Sequence, residues 1–147
     1  VSHVSTRTPY TDSQFRALFE PRGVLVTGAS SHPGKFGFVS LHNILASGFA
    51  GGVYGTNLSG EEVLGISTVA DIDELPDNAI DLVFVCTPAS ANPDLLRACA
   101  RKGIRAAFLT SAGYGEAGDE GKAHPAVSSL TPPAGTSSPH ALAAAHR

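Results

Sequence analysis

Hydrophobic residues along this chain fall into short apolar runs that alternate with helical patterns, which is typical of α/β proteins. Runs rich in apolar and β-branched residues predict strands at residues 23–27, 52–56, 66–69, 82–86 and 106–109. The run at 82–86 is apolar at every position, so we expect that strand to be buried on both faces near the middle of the sheet.

Apolar residues spaced three and four apart predict one helix before the first strand and further helices between strands, and a shorter helix is predicted at residues 71–75. The side chains predicted to face the sheet are Phe15, Leu18, Phe19, Phe38, Leu41, Ile44, Leu45, Leu95, Leu96, Cys99 and Ala100. Strands and helices alternating at these lengths indicate parallel strands joined by right-handed crossovers. The predicted fold class is α/β, a Rossmann-like three-layer fold with a mostly parallel sheet of about five strands and a ligand crevice at their carboxyl ends.

The patterned part of the chain predicts one domain, at residues 12–121. Residues 1–11 are interpreted as a disordered leader. From residue 122 onwards Pro, Ser, Thr, Ala and His dominate and hydrophobic periodicity ends. Residues 122–147 are therefore interpreted as a low-complexity, flexible tail, in which residues 141–145 could form a brief helix.

Composition limits the classes of partner. The chain has 147 residues, with 10 Lys and Arg against 13 Asp and Glu, and a net charge of -3. This balance does not provide the basic surface that binds nucleic acids or anionic membranes, and no apolar run approaches the roughly 20 residues that span a bilayer. Cys86 and Cys99 have neither a disulfide-framework nor a metal-site spacing, which predicts no metal site and favours a cytoplasmic location.

Residues 28–37 join a predicted strand to a predicted helix and consist mostly of small residues, Gly and Pro. Exposed amides and the positive end of a helix favour a phosphate at such a turn. Gly28 permits a sharp turn out of the strand, and Gly34 and Gly37 permit close approach of a ligand or strand to the backbone. The loop therefore predicts a pyrophosphate site, although a tight strand-to-helix turn alone would also use these glycines.

The loop does not fit a P-loop. That motif places four residues between its glycines, whereas five separate Gly28 from Gly34. It also places Ser or Thr after the lysine to bind Mg²⁺, whereas Phe36 follows Lys35.

The dinucleotide fingerprint G-x-G-x-x-G fits better but is also broken, because Ser30 occupies the place of its second glycine. NAD sites place Asp or Glu at the end of the second strand for the ribose hydroxyls. This chain has Thr56 and Asn57 there, so an NAD site is the second interpretation.

Several short motifs together resemble a known family. In chain order they are LFEPR at 18–22, GAS at 28–30, PGK at 33–35, YGTN at 54–57, TPA at 87–89 and SAGYGE at 111–116. This ordered set resembles the CoA-binding domains of NDP-forming acyl-CoA synthetases and is similar to succinyl-CoA synthetase α-subunits. The resemblance extends over residues 12–121.

The resemblance implies a coenzyme A site at the strand ends and in the glycine loop. Its residues would be Gly28, Ser30, Ser31, Gly34, Lys35, Gly37, Thr56, Asn57, Thr87, Pro88, Ser111 and Gly113. The glycine loop would hold the CoA phosphates, and the loop after the second strand would lie near the nucleotide or the pantetheine arm. The turn at 87–89 would flank the pantetheine, and residues 111–113 would lie near the thiol.

Three charged or ionisable side chains lie close to these motifs. Lys35 is predicted to pair with phosphate. Arg22 is interpreted as a solvated surface cation, and His32 as a solvent-facing side chain that could make a pH-dependent contact.

The resemblance also implies the function. In that family an acid–thiol ligation runs through an acyl phosphate and a phosphohistidine on another domain, with an ATP-grasp module as a further partner. The tail histidines His124, His140 and His146 lack the context of a phosphohistidine, so this chain is predicted to bind CoA without a catalytic residue of its own. The alternatives are a stand-alone CoA-binding carrier or regulatory protein and a fragment of an NAD-binding oxidoreductase.

Overall fold

The computed structural model describes residues 11–110 and the backbone of residues 143–146. The helices are α1 (Asp12–Phe19), α2 (Phe36–Ala46) and α3 (Asn92–Arg101). The strands are β1 (Gly23–Thr27), β2 (Gly52–Thr56), β3 (Thr68–Val69), β4 (Leu82–Val85), β5 (Ala106–Leu109) and β6 (Ala143–His146). Short 3₁₀ helices occupy Ile72–Glu74 and Ala89–Ala91. The predicted short helix at 71–75 is thus a 3₁₀ turn, for which Asp71 provides the N-terminal cap.

The sheet has the strand order β3-β2-β1-β4-β5-β6, and each pair of neighbouring strands is parallel. The chain builds outward from β1 to β3 and then returns to place β4 on the other side of β1. This reversal creates a crevice between the carboxyl ends of β1 and β4, where ligands bind in doubly wound sheets. The predicted Rossmann-like α/β fold is confirmed.

Helices cover both faces of the sheet because the central strands are apolar on both sides. One face carries Leu25, Val83 and Ala107, which pack with Leu96 and Cys99 of α3. The opposite face is covered by α1 and α2. Its central residues are Val24, Val26, Leu82 and Ala106, packed with Ala17 of α1 and with Leu41 and Ile44 of α2.

Some predicted core positions are wrong. Phe15 and Phe19 of α1 are exposed and stack on each other with ring centroids 6.2 Å apart, whereas Ala17 of the same helix is buried. Leu45 and Ala100 are exposed as well. Small side chains such as Ala17 let a helix approach the sheet closely, and helical spacing alone does not reveal which stripe is closest.

The backbone of the last described segment is also not as predicted. Residues 141–145 were candidates for a brief helix, but Ala143–His146 forms β6 and pairs with β5 in parallel. Pairing with a neighbouring strand satisfies the backbone of so short a segment better than a helix that is marginal in isolation. No helix within the described ranges is long and apolar enough to cross a membrane.

Candidate functional site

Two glycines shape the loop between β1 and α2 by allowing backbone segments to approach each other. Gly28 has a φ of +67°, and a Cβ on it would lie 3.1 Å from the carbonyl oxygen of Cys86. A Cβ on Gly37 would collide with the carbonyl oxygen of Gly28. The ends of β1 and β4 and the first turn of α2 therefore meet at one point, and the close approach expected at Gly37 is to the protein's own backbone.

Gly34 has a different environment, since a Cβ built on it would have no atom within 4 Å outside its own residue and the two adjacent ones. It belongs to a turn in which the Lys35 amide donates to the His32 carbonyl oxygen at 3.1 Å. A larger side chain at residue 34 would therefore extend into open space beside the loop without displacing protein atoms.

The start of α2 can bind an anion. As the first two helical residues, Phe36 and Gly37 have no preceding turn whose carbonyl groups could accept from their amides. The first turn contains no acidic side chain, and the side chain of Lys35, immediately before it, is exposed. Amide donors, the positive end of the helix dipole and a lysine thus converge beside Gly34.

The two serines of the loop differ in accessibility. The Ser30 side chain is buried, and its Oγ accepts from the amide of His32 at 3.2 Å, so this hydroxyl shapes the loop. Ser31 is exposed on the same loop and remains accessible to a ligand.

At the end of β2, the predicted site residues join the glycine loop to its neighbour. The Ala29 amide donates to the Thr56 carbonyl oxygen at 2.9 Å, and Asn57 Nδ2 donates to the Ala29 carbonyl oxygen at 2.9 Å. Asn57 Oδ1 accepts from both the amide and the hydroxyl of Ser59, each at 2.8 Å. These bonds show that Asn57 fixes the relative position of two loops.

A carboxylate also lies near this strand end. Asn57 Nδ2 makes its second donation, at 3.2 Å, to Glu61 Oε1, on an exposed side chain four residues further along the chain. Glu61 is not recognisable from the residues at the strand end, because the turn at residues 57–60 brings it back to Asn57. The absence of an acid from the strand end is therefore a weaker criterion in the folded chain than in the sequence.

The predicted turn after β4 is held by a buried side chain. Thr87 Oγ1 donates to Asn92 Oδ1 at 2.8 Å, and Asn92 is fully buried at the start of α3. Asn92 is the first residue of α3 and follows the cap residue Ala91. Pro88 is exposed beside this turn and presents an apolar surface without an amide.

At the end of β5 the described residues stop just before the last predicted motif. Thr110 Oγ1 donates to the Val85 carbonyl oxygen at 3.0 Å, which fixes this end of β5 beside β4. Ser111 and Gly113, the predicted thiol-end residues, lie outside the described residues.

Arg22 lies just before β1, at the amino ends of the strands, whereas the glycine loop lies at their carboxyl ends. Its Nε and Nη2 donate to the two Asp81 carboxylate oxygens at 3.0 and 2.9 Å, and its amide donates to the same carboxylate at 2.8 Å. Arg22 is thus a structural partner of Asp81 and is placed away from the candidate phosphate site.

Comparison with known proteins identifies the family. The family described as CoA binding domain matches residues 22–146, which includes every strand of the sheet. The chain belongs to this CoA-binding domain family.

Relatives of this CoA-binding domain include ligases. The ADP-forming acetate–CoA ligase I subunit alpha of Pyrococcus furiosus is 36% identical over 110 residues, covering 72% of this chain and 24% of that protein. The ADP-forming acetate–CoA ligase II of Archaeoglobus fulgidus is 36% identical over 115 residues, covering 78% of this chain and 17% of that protein. The domain thus spans a quarter or less of the length of these relatives.

A solved structure gives the same correspondence. The dinucleotide-forming acetyl-coenzyme A synthetase 1 of Ca. Korarchaeum cryptofilum, in complex with phosphate and ADP, matches with a TM-score of 0.68 and 30% identity. The match covers 74% of this chain and 23% of that one. The predicted membership of the acyl-CoA synthetase type of CoA-binding domain is confirmed.

Within this CoA-binding domain, the described site residues lie at the carboxyl ends of the strands. The glycine loop and the loops after β2 and β4 are linked there by direct hydrogen bonds or close backbone contact. Gly34, Lys35, Ser31 and Pro88 are accessible, whereas Ser30, Asn57 and Thr87 bond to the protein itself. A ligand can therefore reach Gly34, Lys35, Ser31 and Pro88 without any change of conformation.

Proposed function

We propose that this domain binds coenzyme A, with the CoA diphosphate held at the start of α2 and the pantetheine arm passing the turn after β4. The observation that carries the proposal is the open space beside Gly34, next to the exposed residues Lys35 and Phe36 at the start of α2, in a member of the CoA-binding domain family. Open space at Gly34 leaves room for a diphosphate next to the amides of α2 and the Lys35 ammonium group.

Binding of CoA can be tested with Gly34→Val. Because the new side chain would project into the space assigned to the phosphates, we expect CoA affinity to fall at least about tenfold, the equivalent of 1.4 kcal/mol. The fold should be unaffected, since a Cβ at this position meets no atom within 4 Å beyond its own and the adjacent residues. Isothermal titration of the 147-residue chain with CoA measures the effect.

The control for this substitution is Ala46→Val, at the exposed far end of α2. It adds a similar side chain outside the crevice and should leave the CoA titration unchanged. An unchanged titration for Gly34→Val would rule out the assignment of the loop to the phosphates. Lys35→Ala should weaken binding less than Gly34→Val, because one charge is lost while the space remains open.

We propose further that the domain serves as the CoA-holding part of an ADP-forming acyl-CoA ligase in the cytoplasm. The similarity to ligase subunits and synthetases supports this role. Acyl transfer would then need partner domains that provide a phosphohistidine and an ATP-grasp site. The 147-residue chain should bind CoA but form no acyl-CoA from acetate and ATP; acyl-CoA formed by the purified chain would contradict the division of labour.

An NAD-binding role is the second candidate, and Glu61 is the observation that favours it. Its carboxylate lies near the end of β2, where an acid could accept from ribose hydroxyls. Parallel titrations with CoA, dephospho-CoA and NAD distinguish the two roles. Binding of NAD without binding of CoA would overturn the first proposal.

A further inference from the structure

Phe36 is an aromatic side chain with an unusual position. It is the first residue of α2, directly after Lys35, and 66% of its surface is exposed. In the same helix Leu41 is fully buried against the sheet. Single exposed apolar residues are common on protein surfaces, so its position relative to the crevice decides whether Phe36 has a role.

The side of the crevice on which Phe36 lies follows from a contact one helical turn away. Ser40 Oγ is 3.5 Å from Cys86 Sγ, which places this face of α2 against the end of β4. Phe36 precedes Ser40 by four residues and therefore shares its face, about 6 Å further along the helix axis. Because helical side chains point towards the helix N-terminus, Phe36 lies beyond the end of β4, on the side of the Thr87–Pro88 turn.

We propose that Phe36 is a positioning residue that packs against the pantetheine arm of bound CoA, facing Pro88 across the crevice. This inference rests on the proposed function. Pantetheine is an extended chain of methylene, dimethyl and amide groups, and it begins at the diphosphate. Phe36 follows the predicted phosphate ligand Lys35 directly, so the order of the residues along the chain matches the order of the groups along the ligand.

An aromatic face and a proline provide apolar walls for such an arm. The Pro88 ring has no amide that would be left without a partner on binding, and Phe36 needs no rearrangement because it is already exposed. Covering part of its apolar surface favours binding through the hydrophobic effect. In this arrangement Phe36 directs the arm towards the ends of β4 and β5.

The test compares CoA with a ligand that lacks the arm and ends in a free terminal phosphate. CoA contains pantetheine, whereas 3′-phosphoadenosine 5′-diphosphate has the same nucleotide and diphosphate without it. For Phe36→Ala we expect CoA to bind about five- to thirty-fold more weakly, as loss of an apolar contact predicts, while the affinity for the shorter nucleotide is unchanged. Phe36→Leu should lose less affinity for CoA, because it keeps part of the apolar wall.

The matched control is Phe19→Ala, which removes an aromatic side chain with 71% exposure from α1, outside the crevice. It should change neither titration, and the thermal midpoint of each Phe36 variant should confirm folding. Equal weakening of both ligands by Phe36→Ala would assign Phe36 to the nucleotide and overturn this inference, as would unchanged CoA binding. If the unmodified chain binds CoA, these outcomes leave the proposed function intact; if it binds no CoA, both proposals fail.

Discussion

At the residue scale, the Asp81 carboxylate depends on Arg22. Only 9% of the Asp81 side chain is exposed, and the Arg22 side chain and amide donate to it. Hydrogen bonds from the Arg22 side chain lower the pKa of Asp81 below its usual value, although burial acts in the opposite direction. Because the pKa is lower in the folded state, this pair stabilises the fold fully at pH values above the ordinary pKa of aspartate. The stabilisation is lost as the pH falls through the folded-state pKa.

Asp81→Asn should therefore destabilise the chain at neutral pH by about 1–3 kcal/mol, since a charged hydrogen-bond acceptor is lost. The difference from the unmodified chain should begin to shrink below about pH 4, where the carboxyl is protonated in the unfolded state, and should be lost as the pH falls through the lowered folded-state pKa. Urea unfolding at a series of pH values measures both effects. Asp94→Asn is the control, because the Asp94–Arg97 pair is exposed, and its effect should stay below about 1 kcal/mol. A difference for Asp81→Asn that does not change with pH would contradict the assigned role.

The sequence predicted where polar residues such as Asn57 and Thr87 lie but not what they bind. Their positions follow from strand ends, which apolar runs mark well. Their partners do not, because Asn57 bonds to Ala29, 28 residues earlier in the chain, and Thr87 bonds to the buried Asn92 at the start of α3. The sequence pattern of a polar side chain at a strand end is the same whether the side chain bonds to a ligand or to the protein.

At the scale of elements, the contact between β1 and α2 sets the geometry of the candidate site. Val26 of β1 packs with Leu41 of α2, while Gly37 brings the first turn of α2 against the Gly28 carbonyl. The loop at residues 28–35 is therefore held at both ends. Its exposed section around Gly34 does not serve as a packing element, which leaves it free for the phosphate contact proposed above.

Substituting two glycines of this loop region separates packing from binding. Gly37→Ala places a methyl group against the Gly28 carbonyl oxygen and should destabilise the fold by about 1–3 kcal/mol, the usual cost of overpacking. Gly34→Ala meets open space and should change stability by less than about 0.5 kcal/mol. Thermal unfolding followed by circular dichroism measures both. Equal stability of the two variants would show that α2 does not approach β1 as closely as described.

Elements were predictable from the sequence to different degrees. The strands at residues 23–27, 52–56 and 106–109 have the predicted bounds. For 23–27 and 106–109 the reason is that buried parallel strands require nearly continuous apolar runs. The strand predicted at 66–69 is shorter, at Thr68–Val69, because Val63 and Ile66 instead form the ends of a tight turn. Helix faces were less predictable, since Phe15 and Phe19 have the spacing of a buried stripe but lie on the outer surface.

At the scale of the whole molecule, each face of the sheet has its own apolar core, and the two cysteines probe different parts of the structure. Cys99 is fully buried in the α3 core, and burial raises the pKa of its thiol to about 12. Cys86 is half-buried at the end of β4, beside the crevice and the Ser40 hydroxyl. A thiol reagent that attacks the thiolate should therefore distinguish local access from global opening.

In native buffer at pH 8 we expect Cys86 to be modified first and Cys99 only when the α3 core opens, so that Cys86→Ser leaves a single, slowly reacting thiol. If labelling of that thiol follows the population of the open state, each 1.4 kcal/mol of destabilisation should accelerate it about tenfold. Adding Gly37→Ala to the Cys86→Ser background should then increase the labelling rate of Cys99 by the factor that the loss of stability in thermal unfolding predicts.

Acceleration by this factor would show that the α2 contact and the α3 core, on opposite faces of the sheet, unfold as one cooperative unit. If the labelling rate of Cys99 is unchanged by Gly37→Ala, or equals that of Cys86 in the native chain, α3 opens independently of the rest.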